Sequence, residues 1–262
     1  MTVKKIIQNL VFSNIWIAFG SVGVTVTTFL YSNLTLNYFF LVLVFFATLF
    51  SYNLQNLSER KVHKDRSNQI IWIKSNNKII KFITLIALFF SILFSFFSLN
   101  YFAVFISSPF LLLVIFYRIN FFNKIKFRNI PGLKILIISI CWTWACCLLP
   151  QILYSTNIDW TLACFIFLYI ILITIPFDIR DMEYDEEIKT IPQQIGTRNA
   201  LFSSFFLIII LFSLFVNLEN YKLCVFLLIT CLILLPSIKS TNEFYYLIFI
   251  DGLLIILPIF LM

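Results

Sequence analysis

Nine runs of apolar residues, each about the length a helix needs to cross a hydrocarbon core of roughly 30 Å, leave this chain few folds to choose from. They fall at about 10–30, 36–54, 80–98, 100–117, 133–153, 159–177, 200–217, 221–238 and 244–261, and only Ser98-Leu99-Asn100-Tyr101 separates the third from the fourth. A backbone facing lipid must satisfy its own N–H and C=O groups, so spans are helices or strands of a closed barrel. No ten-residue alternation typical of a barrel strand is present, and the runs therefore read as helices. With 61% hydrophobic and 12% charged residues the composition lies far from that of a water-soluble domain. The expectation is one all-α integral membrane domain over 1–262, with nine transmembrane helices around a central cavity.

Lysine and arginine set the expected orientation. Lys4 and Lys5 precede the first run, seven basic residues lie between Arg60 and Lys81, five between Arg118 and Lys134, and three more are Arg180, Lys189 and Arg198. With Lys239 these fall on one side of a nine-span topology, and only Lys222 falls on the other. The amino terminus is expected in the cytoplasm and the carboxyl terminus outside, in a multi-pass protein of the cell (inner) membrane. Cationic loops facing anionic lipid account for the net charge of +7, so no nucleic-acid partner is implied. The first run resembles a signal sequence but lacks a small-residue cleavage site, and is read as a retained helix.

Few residues within the runs carry chemistry. All six cysteines lie inside spans, where they act as small apolar residues, and neither metal spacing nor a disulfide framework is visible. His63, flanked by Lys61 and Lys64, is a solvated loop residue. Asp251 is the one ionisable residue well inside a run, a costly position that marks either a group that positions an acceptor hydroxyl or pairs with a pocket cation, or a side chain protonated against the Gly252 backbone.

Two polar excursions, about 53–79 and 177–199, both follow even-numbered runs on the basic side. The second contains Asp178-Ile179-Arg180-Asp181-Met182-Glu183-Tyr184-Asp185. On a helix its aspartates at i, i+3 and i+7 fall within an arc of roughly 60° and form one acidic face. Like charges crowded at a membrane edge are most simply explained by a bound divalent cation, which points to Mg²⁺ and a phosphorylated ligand. Asn53, Asn56 and Arg60 repeat the same spacing 125 residues earlier, so the two excursions are expected to face each other across one polar pocket.

Together with the downstream Ile188-Lys189-Thr190-Ile191-Pro192 and Ile195-Gly196, the acidic stretch resembles the second Asp-rich motif of the UbiA family of intramembrane prenyltransferases and its K-T-[IL]-P…G tail. Nine helices with two cytoplasmic polar loops is also that family's architecture. The resemblance implies an enzyme that transfers a prenyl group from a prenyl diphosphate to an aromatic or other lipid-pathway acceptor, with Mg²⁺ as cofactor. It implies Asp178, Asp181 and Asp185 as metal ligands. The first motif departs from the family pattern N-D-x-x-D-x-x-x-D: Asn53, Asn56 and Arg60 stand in it and no aspartate does. Asparagine oxygens bind Mg²⁺ more weakly than carboxylates, whereas a guanidinium in that place grips a diphosphate by paired hydrogen bonds.

The resulting site expectation has Asp181, Asp185 and Arg60 as catalytic residues. Asn53, Asn56, Arg60, Lys134, Lys189 and Arg198 are expected to bind substrate, with Arg60 and Lys189 the preferred cationic pair. Diphosphate departure leaves an allylic carbocation and concentrates charge on the leaving group, which metal and cationic side chains stabilise. The partners are a prenyl diphosphate, an acceptor that the sequence does not identify, and membrane lipid. The competing readings are a catalytically inactive prenyl-lipid-binding protein of the same fold, which the missing aspartates favour, and a small-molecule transporter, against which the odd number of runs argues.

Overall fold

The computed structural model describes residues 3–58, 67–116, 132–182, 190–238 and 242–262, and among them it contains helices and no strand. Each of the nine apolar runs coincides with helix. In chain order these are α1 (Val3–Phe12), α2 (Ile15–Tyr31), α3 (Tyr38–Ser58), α4 (Asn68–Ser75), α5 (Asn77–Ser98) and α6 (Tyr101–Phe116). There follow α7 (Leu133–Thr143), a π turn at Trp144–Leu148, α8 (Leu149–Tyr154), α9 (Trp160–Asp181), α10 (Ile191–Ile195), α11 (Thr197–Asn217) and α12 (Tyr221–Leu234). The last span is α13 (Glu243–Tyr245), a second π turn at Tyr246–Ile250, and α14 (Asp251–Ile256). Among the described residues six helical stretches are long and apolar enough to cross a bilayer, or seven when the bent pair α1 and α2 is counted as one span; α6 and α12 are apolar but shorter. The chain is an integral membrane protein.

The first run is not the single helix expected. It bends by 66° between α1 and α2, where Asn14 takes a left-handed conformation with φ 64°. α1 turns Val3, Ile6, Ile7 and Leu10 outward at three- and four-residue spacing and buries Val11 and Phe12. That is the pattern of a helix lying along an interface. Where the excursions are described they are largely helical: α3 runs on to Ser58, α9 to Asp181, and α4 and α10 lie inside them.

Which helices face lipid follows from their spacing. On α5 the exposed Phe82, Leu85, Phe89, Ile92 and Phe96 recur at three- and four-residue intervals, one stripe for the bilayer. α9 is the most buried of the long helices and packs between α7 and α11, while α2 packs against α3 and α14.

Several hydroxyl groups within the spans are satisfied by the preceding turn of their own helix. Thr25 and Thr27 donate to the carbonyls of Ser21 and Gly23, four residues back. Pro150 has no N–H to offer the Cys146 carbonyl four residues earlier, which frees it at the first π turn. Thr28 Oγ1 donates to that oxygen at 2.8 Å and joins α2 to the broken helix. Between α2 and α14 the backbones touch: a Cβ on Gly23 would stand 2.2 Å from the Leu254 carbonyl oxygen.

Candidate functional site

A cavity of about 210 Å³ opens among α2, α3, α4, α7, α9 and α14. Its residues sort by depth, because each helix advances about 1.5 Å per residue. At the mouth lie Asn14, Asn56, Gln69, Lys134, Arg180 and Asp181. One or two turns further in, the lining becomes Ile17, Ile138, Ile170, Ile173 and Phe177, and within this apolar zone stand Tyr52, Trp142 and Asp251.

The mouth carries a charge cluster built on the last turn of α9. Asp178 is 2% exposed, and its Oδ1 receives Lys134 Nζ from the first turn of α7 at 2.5 Å. The same ammonium lies 3.9 Å from Asp181 Oδ2. Arg180 directs Nε and Nη2 at one oxygen of Asp181, at 2.9 and 2.8 Å, while its guanidinium carbon sits 5.1 Å from the Phe177 ring centre and 5.6 Å from that of Tyr246. Two aromatic faces and a carboxylate thus fix the plane of the guanidinium. Its Nη1 is buried and has no hydrogen-bond partner among the described residues. A buried donor without an acceptor is costly, and beside a cavity an incoming anion supplies the missing oxygen.

The break between α1 and α2 anchors the opposite wall. Asn53 is fully buried; its Oδ1 accepts from Asn14 Nδ2 at 2.8 Å and its Nδ2 donates to the Ser13 carbonyl at 3.1 Å. Gln69 Nε2 donates to Asn14 Oδ1 at 3.2 Å and to the Phe12 carbonyl at 3.4 Å. The carbonyls released by the bend are thereby satisfied from α3 and α4. α4 in turn is held over the mouth by Glu243, whose carboxylate accepts from Ser67 Oγ at 2.7 Å and from the Asn68 backbone N–H at 2.9 Å.

The expected site residues divide. Asn56, Lys134 and Asp181 share the cavity, so the two excursions do meet across one pocket, with Asp178 just behind its wall. Asn53 is spent on the Asn14–Ser13 junction and does not line the cavity. Arg198 is exposed over the Phe202 ring, 5.6 Å from its centre, and does not line the cavity either. Arg60, Asp185 and Lys189 lie outside the described residues. Sequence reasoning counted Arg180 only among several basic residues, and it missed Asn14, Gln69 and Glu243. A lone asparagine or glutamine at a run boundary carries no signal, but Arg180 sits inside the acidic motif and is the one that could have been found.

Mg²⁺ takes hard oxygen donors, commonly one or two carboxylates completed by water and substrate phosphate. Asp181 at the mouth, one turn from Asp178 on the same helix, is of that donor type and fits such an ion. Among the described residues no group of three metal-binding side chains is assembled.

No protein-family profile matches the sequence, and no curated protein sequence does. Solved structures match it closely in shape. A UbiA homolog from Archaeoglobus fulgidus bound to GPP and Mg²⁺ superposes with a TM-score of 0.67 at 14% identity, covering 97% of this chain and 99% of that one. Bound to DMAPP and Mg²⁺, a UbiA homolog from the same organism gives 0.65 at 14% identity over 97% and 98% of the two chains. The apo UbiA homolog from Aeropyrum pernix K1 gives 0.65 at 13% identity over 97% and 96%. Along nearly its whole length, this chain has the fold of the UbiA homologs.

Proposed function

We propose that the protein is an intramembrane prenyltransferase that takes an allylic prenyl diphosphate at the cavity mouth and passes the prenyl group to an acceptor held further in. The observation that carries this reading is Arg180: a guanidinium fixed on two rings and Asp181, with one buried nitrogen unpartnered among the described residues, at the edge of an apolar cavity. The shared fold supports it, since UbiA homologs were solved with GPP or DMAPP and Mg²⁺.

Arg180 and Lys134 hold the diphosphate oxygens, with Asn56 of the cavity lining and, from the sequence, Arg60 and Lys189 as further candidates. Asp181, with Asp185 of the same motif, would hold Mg²⁺, while Asp178, enclosed behind the wall, holds Lys134 in place. When bound, the ion supplies positive charge to the diphosphate as the allylic C–O bond breaks. Ile138, Ile173 and Phe177 keep water from the carbocation that results. The amino terminus lies in the cytoplasm and the carboxyl terminus outside, in the cell membrane.

Pyrophosphate release in lipid nanodiscs tests the reaction, with geranyl diphosphate and a panel of aromatic acceptors, with Mg²⁺, with EDTA, and with Asp181→Asn. Release that needs both the metal and Asp181 supports transfer. The second reading, a prenyl-lipid-binding protein without turnover, is favoured by Asn53, which sits in place of a motif carboxylate and serves the helix junction. Geranyl diphosphate binding without release in every condition would establish it instead.

A further inference from the structure

α1 has two opposed faces. Val3, Ile6, Ile7 and Leu10 are exposed and fall within an arc of about 100°, while Phe12 is buried on the far side of the helix. The Phe12 ring stacks on Phe244 with centres 5.0 Å apart and meets Trp72 of α4 edge to face at 6.0 Å. With Val11 and Leu247 it forms the buried heart of a small apolar cluster, against which Trp16 and Phe177 also pack. One side of α1 is thus fixed to the helix that covers the cavity mouth, and the other side is bare.

Positive charge surrounds the bare face. Lys4 and Lys5 of α1, Lys74 of α4, and Lys78 and Lys81 of α5 are all exposed at this end of the protein. On α5 the two lysines continue, one turn outward, the stripe of Phe82, Leu85, Phe89 and Ile92 that faces the bilayer. α4 packs against both α1 and α5 and joins them into one rim. Residues 3–58 and 67–116 contain no aspartate or glutamate, and Glu243, which reaches α4 from the last span, is taken up by its amino end. The rim therefore sets cationic side chains directly beside apolar ones.

A small anion in water would use the lysines and leave Val3, Ile6, Ile7 and Leu10 facing solvent. A second copy of the chain, meeting this rim with its own, would bring like charges together. An anionic phospholipid matches both halves, since its headgroup meets the ammonium groups while its chains cover the apolar stripe. We infer that the rim of α1, α4 and α5 binds the headgroups of anionic phospholipids in the surrounding leaflet, and that lipid-bound α1, through Phe12, holds α4 over the cavity mouth. This goes beyond the prenyltransferase reading and does not rest on it, because neither the rim lysines nor Phe12 belong to the charge cluster at the mouth.

Hydrogen exchange of the full chain, one copy per nanodisc, tests this without requiring turnover, by comparing phosphatidylcholine discs with discs that also contain phosphatidylglycerol. The anionic lipid is expected to slow exchange in α1 and α4 at least fivefold, about the factor that one lysine contributes at an anionic surface, and to leave α9 unchanged. Lys4→Glu with Lys5→Glu should abolish the response of α1 and most of that of α4, and Lys4→Arg with Lys5→Arg should retain both. Phe12→Leu should keep the response in α1 and lose most of it in α4. Exchange in α9 reports an intact fold in each variant. Should the double glutamate variant alter α9, Lys4→Gln with Lys5→Gln decides: a weakened response supports the rim and an unchanged one refutes it. Equal exchange in the two kinds of disc, a response that survives the double glutamate change, or the same slowing by inorganic phosphate in phosphatidylcholine discs overturns the lipid site. Slowing that follows the number of copies per disc instead of lipid charge assigns the face to a second copy and overturns it as well. A full response in α4 with Phe12→Leu overturns the coupling.

Discussion

Lys134 and Asp178, 44 residues apart in sequence, meet at 2.5 Å with the carboxylate almost wholly enclosed. This pair joins the start of α7 to the end of α9 and gives the charge cluster its fixed frame. Removing one partner breaks an enclosed charge pair, a change that typically costs about 3–5 kcal/mol, and removing both costs less than the two losses added. Lys134→Met and Asp178→Asn are each expected to lower the thermal unfolding midpoint in detergent clearly, and the double variant to recover most of the loss. A double variant as unstable as the two losses added together would show that the residues act independently.

Arg180→Lys tests the planar grip. An ammonium keeps the charge but cannot chelate one Asp181 oxygen through two nitrogens, lie flat on Phe177, and still present a third nitrogen. Geranyl diphosphate affinity, measured by titration in nanodiscs, is expected to fall at least tenfold, with the unfolding midpoint lowered much less than by Asp178→Asn.

Glu243 places a carboxylate on the amino end of α4, where unpaired backbone N–H groups and the helix dipole favour negative charge. Glu243→Gln retains the shape but removes the charge. Hydrogen exchange at the amides of 68–75 is expected to accelerate about five- to tenfold, corresponding to roughly 1 kcal/mol, while exchange in α9 remains as it was.

Asn53→Asp would give the first motif a carboxylate, yet the expected result is loss. The Nδ2 that donates to the Ser13 carbonyl disappears, and a buried anion is left facing that oxygen. Stability should drop by roughly 1–3 kcal/mol in denaturant titration, without any gain in Mg²⁺ affinity by calorimetry.

Gly23→Ala is the most severe single-methyl change in α2. The new carbon would collide with the Leu254 carbonyl, and backbone rather than a flexible side chain would have to move. A cost of about 1–3 kcal/mol in stability is expected, read by denaturant titration. Substitution of Gly252 by Ala, which meets only the Trp16 ring at 3.7 Å, should cost far less.

The helices were legible because membrane spans follow from run length and little else: α5, α9 and α11 lie where apolar content alone puts them. The bend at Asn14 was not, because Ser13-Asn14 has neither proline nor glycine and its support comes from Asn53 and Gln69 on other helices. α4 was hidden for a related reason. Its sequence is mixed, and its amino end depends on Glu243, 175 residues from Asn68. At the site, spacing put Asp178 and Asp181 on one helix face, and of the two Asp181 shares the cavity with Asn56. It could not separate a carboxylate behind the wall from one on it, since both occupy the same face of α9 and the difference is made by Lys134.

The 66° turn ahead of α2 also fixes how far the bilayer must reach at the cavity mouth. α2 has 17 residues, a rise of about 25 Å, against a hydrocarbon thickness of about 30 Å. A span that is too short is met by thinning of the surrounding membrane, which pulls lipid headgroups inward. In a bilayer this would bring the headgroup plane toward Arg180 and Lys134. On the proposed function, an amphiphilic diphosphate would then reach the mouth with its tail in oil and little of its charge entering hydrocarbon.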